Sequence, residues 1–379
     1  MNRDRFPGLA GGWARLDGPA GTQMLDTAIE AMADFMRSGR NANEGGVFAA
    51  AHASEETVAN ARSEVGALLN ADPRGVVFGP SMTALTMRFA ATVVEPGDEI
   101  VCTRLDHDAN VRPWVIAAER AGAIVRFADP EPGSLALPAS AVEEVLCDRT
   151  RWVCVTAASN AVGTIPDLAG ITAAARAAGA RVYVDAVHAV PHRQMDASAF
   201  DVLACSAYKW FGPHVGMLAA DPAFLETLAP DKLAPSSDDV PHRFELGTLP
   251  FESLAGVAAA AAYTRELDWD AVRTHETALL RKACTGLAAI DGVTLHGDAP
   301  DRTSTLMFTV AGHTSREVAT HLAAHEVAVW HGNYYAHELE AHLGLAPDGA
   351  VRGGFVHYND AEDADRLVAA VAQLADKRA

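Results

Sequence analysis

Lysine is nearly absent from this chain. Among 379 residues there are four lysines (Lys209, Lys232, Lys282 and Lys377) against 26 arginines, so arginine carries the surface positive charge. No Lys/Arg cluster interrupts a net charge of −19. Nucleic acid and anionic membranes both demand a basic face, so neither is expected as a partner. Cysteine is also sparse. The five present (Cys102, Cys147, Cys154, Cys205 and Cys284) include no CxxC pair and fall mostly in apolar runs. They read as buried thiols in a reducing compartment. No apolar run reaches the ~20 residues of a membrane span. The opening stretch "MNRDRFPGLAGGWARLDG" has no apolar core of a secretory leader. A cytoplasmic protein is therefore expected, and no repeat or low-complexity segment qualifies that reading.

What remains is a globular composition, 49% hydrophobic, long enough for one large domain and a smaller one. The middle of the chain alternates strand and helix patterns. "GVVFG" (75–79), "DEIVCTRLD" (98–106), "IVRFADP", "RWVCVTAAS" (151–159), "ARVYVDAVH", "DVLACSAYK" and "VGMLAA" read as strands. "SMTALTMRFAATVV", "VRPWVIAAERAG" and "LAGITAAARAAG" read as helices between them. This alternation predicts an α/β fold around a mostly parallel sheet covered on both faces. After about residue 235 the texture changes to a turn-rich loop, then longer helices and a few strands. The expected division is a large α/β domain over 20–250 and a smaller α+β domain over 251–379, joined by residues 1–19.

In parallel sheets ligands bind outside the carboxyl ends of the strands. That edge is chemically loaded here. It carries Ser81 and Thr83 before a helix, His107 and Asp108, Asn160, Asp185 with His188, and Lys209 at the end of "DVLACSAYK". A lysine set in apolar surroundings is costly unless it is paired, discharged or used. A lysine with a strand-end aspartate upstream suits pyridoxal 5'-phosphate (PLP). The amine bonds to the aldehyde, and the carboxylate keeps the ring nitrogen protonated. "GPSMT" before a helix, with Ser206 near the lysine, offers a phosphate cradle. Singly, each residue has a plainer reading as a cap or turn former.

Seven stretches, in order along the chain, carry a family resemblance: "LDGPAGTQ" (16–23), "LDHDANVRPW" (105–114), "SNAVGTIPDL" (159–168), "VYVDAVHAVPH" (182–192), "CSAYKWFGPHVG" (205–216), "RFELGT" (243–248) and "VRGGFVHYN" (351–359). Together they resemble the class V aminotransferases, and within them the cysteine desulfurase branch. The resemblance implies the type I fold of PLP-dependent transferases, with a seven-stranded sheet and a smaller C-terminal domain. It implies that Lys209 carries PLP covalently, that Asp185 faces the ring nitrogen, and that His107 stacks on the ring. Asn160 and His188 would serve the ring's phenolic oxygen. Thr83, the Met82 backbone, Ser206 and Tyr208 would hold the phosphate. Thr248 would reach the phosphate of a neighbouring subunit, which implies a homodimer with its active sites at the interface. Arg352 would grip the carboxylate of a small amino acid substrate.

One departure stands out. Cysteine desulfurases carry a nucleophilic cysteine on a loop shortly before that arginine, and the corresponding stretch "VWHGNYYAHELEAHLG" (329–344) has none. Asn333, Tyr334 and Tyr335 occupy it, with Asn333 and Tyr334 expected at the substrate and Tyr335 as an acid or pocket wall. A phenol cannot hold a persulfide. The favoured expectation is β-elimination at a C–S bond of cysteine or an S-conjugate. Epimerisation and transamination remain open on the same residues, and so does a non-catalytic PLP-fold binding protein. "HLAAH" (321–325) places two histidines one helical turn apart but lacks the HExxH pattern, and no metal is expected.

Overall fold

The computed structural model describes residues 3–376. Along the chain, β1 (Ala14–Arg15) precedes two helices, α1 (Asp26–Arg37) and α2 (Ala49–Leu69). Then follow β2 (Val76–Gly79), α3 (Met82–Val93), β3 (Glu99–Thr103), α4 (Arg112–Ala121), β4 (Ile124–Ala128), α5 (Ala139–Glu143), β5 (Thr150–Thr156), α6 (Leu168–Ala177), β6 (Arg181–Asp185), β7 (Val202–Ser206), β8 (Gly216–Ala220) and α7 (Pro222–Glu226). Strands β2 to β8 form a seven-stranded sheet in the order β2-β8-β7-β6-β5-β3-β4. Only β8 runs against the others. The β5-to-β8 run is buried almost throughout, as a sheet covered on both faces requires. On one face Phe89, Trp114, Trp152 and Tyr183 pack edge to face at 5.3–6.2 Å, and the Tyr183 hydroxyl is 2.7 Å from Thr86 Oγ1.

The C-terminal part holds α8 (Phe251–Arg265), α9 (Trp269–Ala288), β9 (Val293–His296), β10 (Thr305–Val310), α10 (Ser315–Ala324), β11 (Val327–Ala328), β12 (Trp330–Gly332), α11 (His337–His342), β13 (Ala350–Gly354) and α12 (Ala361–Asp376). A four-stranded antiparallel sheet runs β12-β13-β10-β9, and α9 packs with α12. The N-terminal segment joins this unit, since β1 pairs in parallel with β11 and Asp17 bridges to Gly354. Helix α8 packs instead on α1 and α2, within the core beneath the large sheet. Its alanine-rich surface lets three helices approach closely. We propose on this packing that the boundary expected at 251 lies after α8.

Among the described residues no helix is long and apolar enough to cross a membrane. The paired histidines of α10 are tied to backbone: His321 Nε2 is 3.0 Å from Ala370 O, and His325 Nδ1 is 2.8 Å from His321 O.

Candidate active site

The carboxyl edge of the large sheet supplies the pocket. Asp185 closes β6 and Ser206 closes β7. Lys209 follows β7 in a single 3-10 turn. Because β8 is antiparallel, its first residue, Gly216, lies at the same edge. A side chain there would fall on the Ser81 carbonyl carbon and Met82 nitrogen, so the turn that starts α3 lies flush on β8. Ser81 caps α3 by accepting from Ala84 N (3.1 Å), while Met82 N points to Ser206 Oγ (3.4 Å). A helix start with a hydroxyl beside it is a ready anion site.

Lys209 is 7% exposed, and its Nζ donates to the Pro19 carbonyl. Burial lowers its pKa to about 7, the Arg352 cation adds to the fall, and Asp185 opposes it. Asp185 is pushed up to about 6 by burial, against the pull of the Val187 N–H and of Lys209. His107 is held near 3 by burial and by the Lys209 and Arg352 charges. Its Nδ1 accepts from Ala109 N at 3.0 Å. The turn presenting it is braced by buried Asp106, which accepts from Thr103 Oγ1 (2.5 Å) and Asn110 Nδ2 (2.8 Å).

Beside this pocket opens a wider cleft walled by the small sheet. Arg352, on β13, is 3% exposed. It donates one terminal nitrogen to Asn160 O (2.9 Å), sits 4.5 Å from the Tyr334 ring centroid, and leaves Nε without a partner. Burial lowers its pKa to about 10, so it stays cationic at neutral pH. Tyr334 and Tyr335 both adopt left-handed backbone, φ 50° and 61°, costing about 1–2 kcal/mol each. Three hydrogen bonds to their backbone hold them there. Asn160 Nδ2 donates to Tyr334 O (3.0 Å), Asp108 N to Tyr335 O (2.7 Å), and Tyr335 N to Asn333 Oδ1 (3.0 Å). The Tyr335 ring stacks on His107 at 5.4 Å and 27°.

The profile of the aminotransferase class-V family matches residues 14–367. The chain belongs to this family. A cysteine desulfurase of Enterobacter sp. (strain 638) is 32% identical over 385 residues, spanning 95% of this chain and 93% of that protein. Another, of Salmonella gallinarum, is 30% identical over 384 residues with the same shares. Among solved structures, the cysteine desulfurase CsdA of Escherichia coli superposes with a TM-score of 0.89 at 28% identity, covering 99% of this chain and 98% of that one. The apo cysteine desulfurase of Thermococcus onnurineus NA1 gives 0.92 at 24% identity over 99% and 97%, a likeness of fold. Class V aminotransferases use PLP, and this chain is a PLP-dependent, cysteine desulfurase-like enzyme.

The donor set fits that cofactor on the structure's own terms. A buried amine, a buried strand-end carboxylate and a helix start with an adjoining hydroxyl converge on one pocket, where the Asn160 Oδ1 has no partner. Met82, Thr83, His107, Asn160, Asp185, His188, Ser206, Tyr208 and Lys209 all line it. Arg352, Asn333, Tyr334 and Tyr335 line the adjoining cleft. Thr248 is exposed and lines neither. Neither the Pro19 carbonyl on Lys209 nor the brace at Asp106 is among the expectations drawn from the sequence. A carboxylate in "LDHD", just after an apolar strand, was the one signal for the second.

Proposed function

We propose that this enzyme cleaves the C–S bond of cysteine or an S-substituted cysteine by β-elimination. One observation carries the reading. No thiol lines the pocket or the cleft, and the loop before Arg352 presents two pinned tyrosines instead. Cys102, Cys154 and Cys205 are buried in the sheet, where burial pushes Cys205 up to about 12, far from a reactive thiolate. PLP, when bound at Lys209, withdraws electrons from Cα, which acidifies the Cα proton and frees the β-substituent to leave.

The chain's own groups supply the rest. Asp185 would pair with the ring nitrogen, His107 would lie against the ring, and Asn160 with His188 would serve the phenolic oxygen. Met82 N, Thr83, Ser206 and Tyr208 would hold the phosphate. Arg352 binds the substrate carboxylate through its uncommitted nitrogens, and Tyr334 under it fixes the guanidinium plane. Lys209 Nζ accepts the Cα proton as the C–H bond breaks. The Cβ–S bond breaks with its electron pair on sulfur, and the Tyr335 phenol protonates that sulfur at the cleft mouth. Water then hydrolyses the released enamine to pyruvate and ammonia. We also infer a homodimer in which exposed Thr248 reaches the partner's phosphate site, and a cytoplasmic setting consistent with five free cysteines.

The test is incubation with L-cysteine, S-substituted cysteines and a panel of other amino acids, with product identification. Pyruvate with stoichiometric thiol or sulfide is expected. Alanine with protein-bound sulfur would overturn the elimination reading. An inverted enantiomer or a keto acid other than pyruvate would replace it with epimerisation or transamination. A protein that takes up no PLP would leave a non-catalytic scaffold.

A further inference from the structure

Behind the pocket, segment 302–305 ties the small sheet to two loops of the large one. Arg302 Nη2 donates to the Val162 and Thr305 carbonyls (2.9 and 2.7 Å), and Thr303 N donates to Gly163 O (2.9 Å). Gly163 lies at φ +78°, and a Cβ there would stand 2.9 Å from both Thr303 O and Thr303 Oγ1. The loop that carries Asn160 is therefore pressed onto this segment with no room for a side chain. The second loop, after β6, brings His188. Its Nε2 lies 2.8 Å from Thr305 Oγ1, with both residues buried.

The direction of that bond can be worked out. Thr303 Oγ1 reaches Thr305 Oγ1 and His188 Nε2 (both 3.4 Å) and Gly163 O (3.5 Å), and none of these contacts offers the Thr305 proton a different acceptor. The Thr305 proton then has one short acceptor among the described residues, His188 Nε2. An imidazole nitrogen that accepts carries no proton. The ring is neutral, since burial first, and then its neighbours His192, Lys209, Arg352 and His107, all oppose a second proton. Among the described residues no carboxylate bonds it; Glu276 bonds His192 instead (2.7 Å). The single proton of His188 therefore sits on Nδ1. That nitrogen has no hydrogen-bond partner among the described residues, and the ring lines the cofactor pocket beside Asn160 and Asp185. The neighbouring Asn160 amide already spends a hydrogen on Tyr334 O.

We propose that Thr305 is a positioning residue: its hydroxyl locks neutral His188 as the Nδ1–H tautomer and so gives the pocket a fixed donor for the phenolic oxyanion of PLP. This rests on the PLP reading of the pocket. It makes a strand of the small sheet part of the cofactor's hydrogen-bonding shell, although Thr305 does not line the pocket.

The test uses holoenzyme labelled with ¹⁵N-histidine, whose two-bond ¹⁵N–¹H correlations report tautomers. The His188 signal is identified by its loss in His188→Gln. Wild type is expected to show the Nδ1–H pattern. Thr305→Val, of equal volume, is expected to lose it and to raise the PLP dissociation constant about five- to tenfold, the value of one hydrogen bond. Thr305→Ser should restore both. In a His188→Ala background, Thr305→Val should no longer change PLP affinity. If Thr305→Val fails to fold, Thr303→Val, which removes the hydroxyl 3.4 Å from both Thr305 Oγ1 and His188 Nε2, is expected to weaken the Nδ1–H signal. An Nε2–H pattern in wild type, an unchanged pattern in Thr305→Val, or a Thr305→Ser variant no better than the valine overturns the proposal. Absence of PLP binding in wild type would instead sink the function reading, while the tautomer stays readable in the cofactor-free protein.

Discussion

Burial and the Arg352 cation push Lys209 down, Asp185 pushes it up, and burial wins, leaving the amine near 7. Only the neutral amine attacks an aldehyde. PLP uptake by cofactor-free protein is therefore expected to accelerate with pH through a midpoint of about 7, read by stopped-flow absorbance. Arg352→Met removes a lowering influence, so its midpoint should move upward; a downward move would contradict the assigned electrostatics. Stability follows by linkage. The folded Lys209 binds fewer protons than the unfolded chain between about 7 and its ordinary 10.5, so stability rises with pH across that window. Asp185 works oppositely: raised to about 6, it gives stability that is lost as pH rises from about 4 through 6. Urea titrations of cofactor-free Lys209→Met should lack the alkaline rise, which is ~3–5 kcal/mol in scale.

At the scale of elements, one side chain in each of two loops links its backbone to a neighbouring group. Asn333 accepts from Tyr335 N and donates Nδ2 to Glu340 (3.2 Å), so it stabilises the left-handed pair. Asn333→Ala should lower kcat/KM by about tenfold, a cost of ~1.4 kcal/mol, with faster proteolysis at 333–336 and little change in Tm. The loop leading to Thr248 hangs on Glu245. Burial would raise this carboxylate, yet His242, Arg62 and the Phe78 N–H together hold it below its ordinary value. Arg62 grips it in two bonds of 2.9 and 2.7 Å. Glu245→Ala leaves a buried guanidinium unpaired and should cost about 3–5 kcal/mol in denaturant unfolding.

The strands of the large sheet were legible because each is a short apolar run bounded by turn residues, and Lys209 and Asp185 were legible because they end such runs. Helix α2 was not: its "AHASEETVANARSE" face mixes small and polar residues without clear periodicity. The placement of α8 depends on what alanine packs against, which composition does not specify. Thr305 belongs to a strand more than a hundred residues from His188, and the stacking of Tyr335 on His107 joins segments further apart still. Such contacts exist only after the two sheets have met.

For the whole molecule, the large apolar side chains left in solvent are informative. Met87, Trp330 and Tyr335 are exposed at the cleft, and Leu246, two residues before Thr248, is 63% exposed. In the proposed homodimer these side chains would be covered by the partner subunit. The proposed homodimer should sediment at about twice the 39.9 kDa chain mass. Leu246→Asp should shift it toward monomer and weaken PLP binding together. A monomeric wild type with full PLP affinity would remove Thr248 from the site.

Asn160 and Asp108 hold the Tyr334–Tyr335 segment by its carbonyl oxygens, so the grip does not depend on which side chains the segment carries. A thiol introduced there by substitution would stay anchored over His107. A sulfur courier needs a tether that can leave the site and meet a recipient, and these staples deny it one. In the proposed reaction, the sulfur fragment departs as a diffusible small molecule, shared with whatever in solution can react with it, rather than passed from one protein to the next.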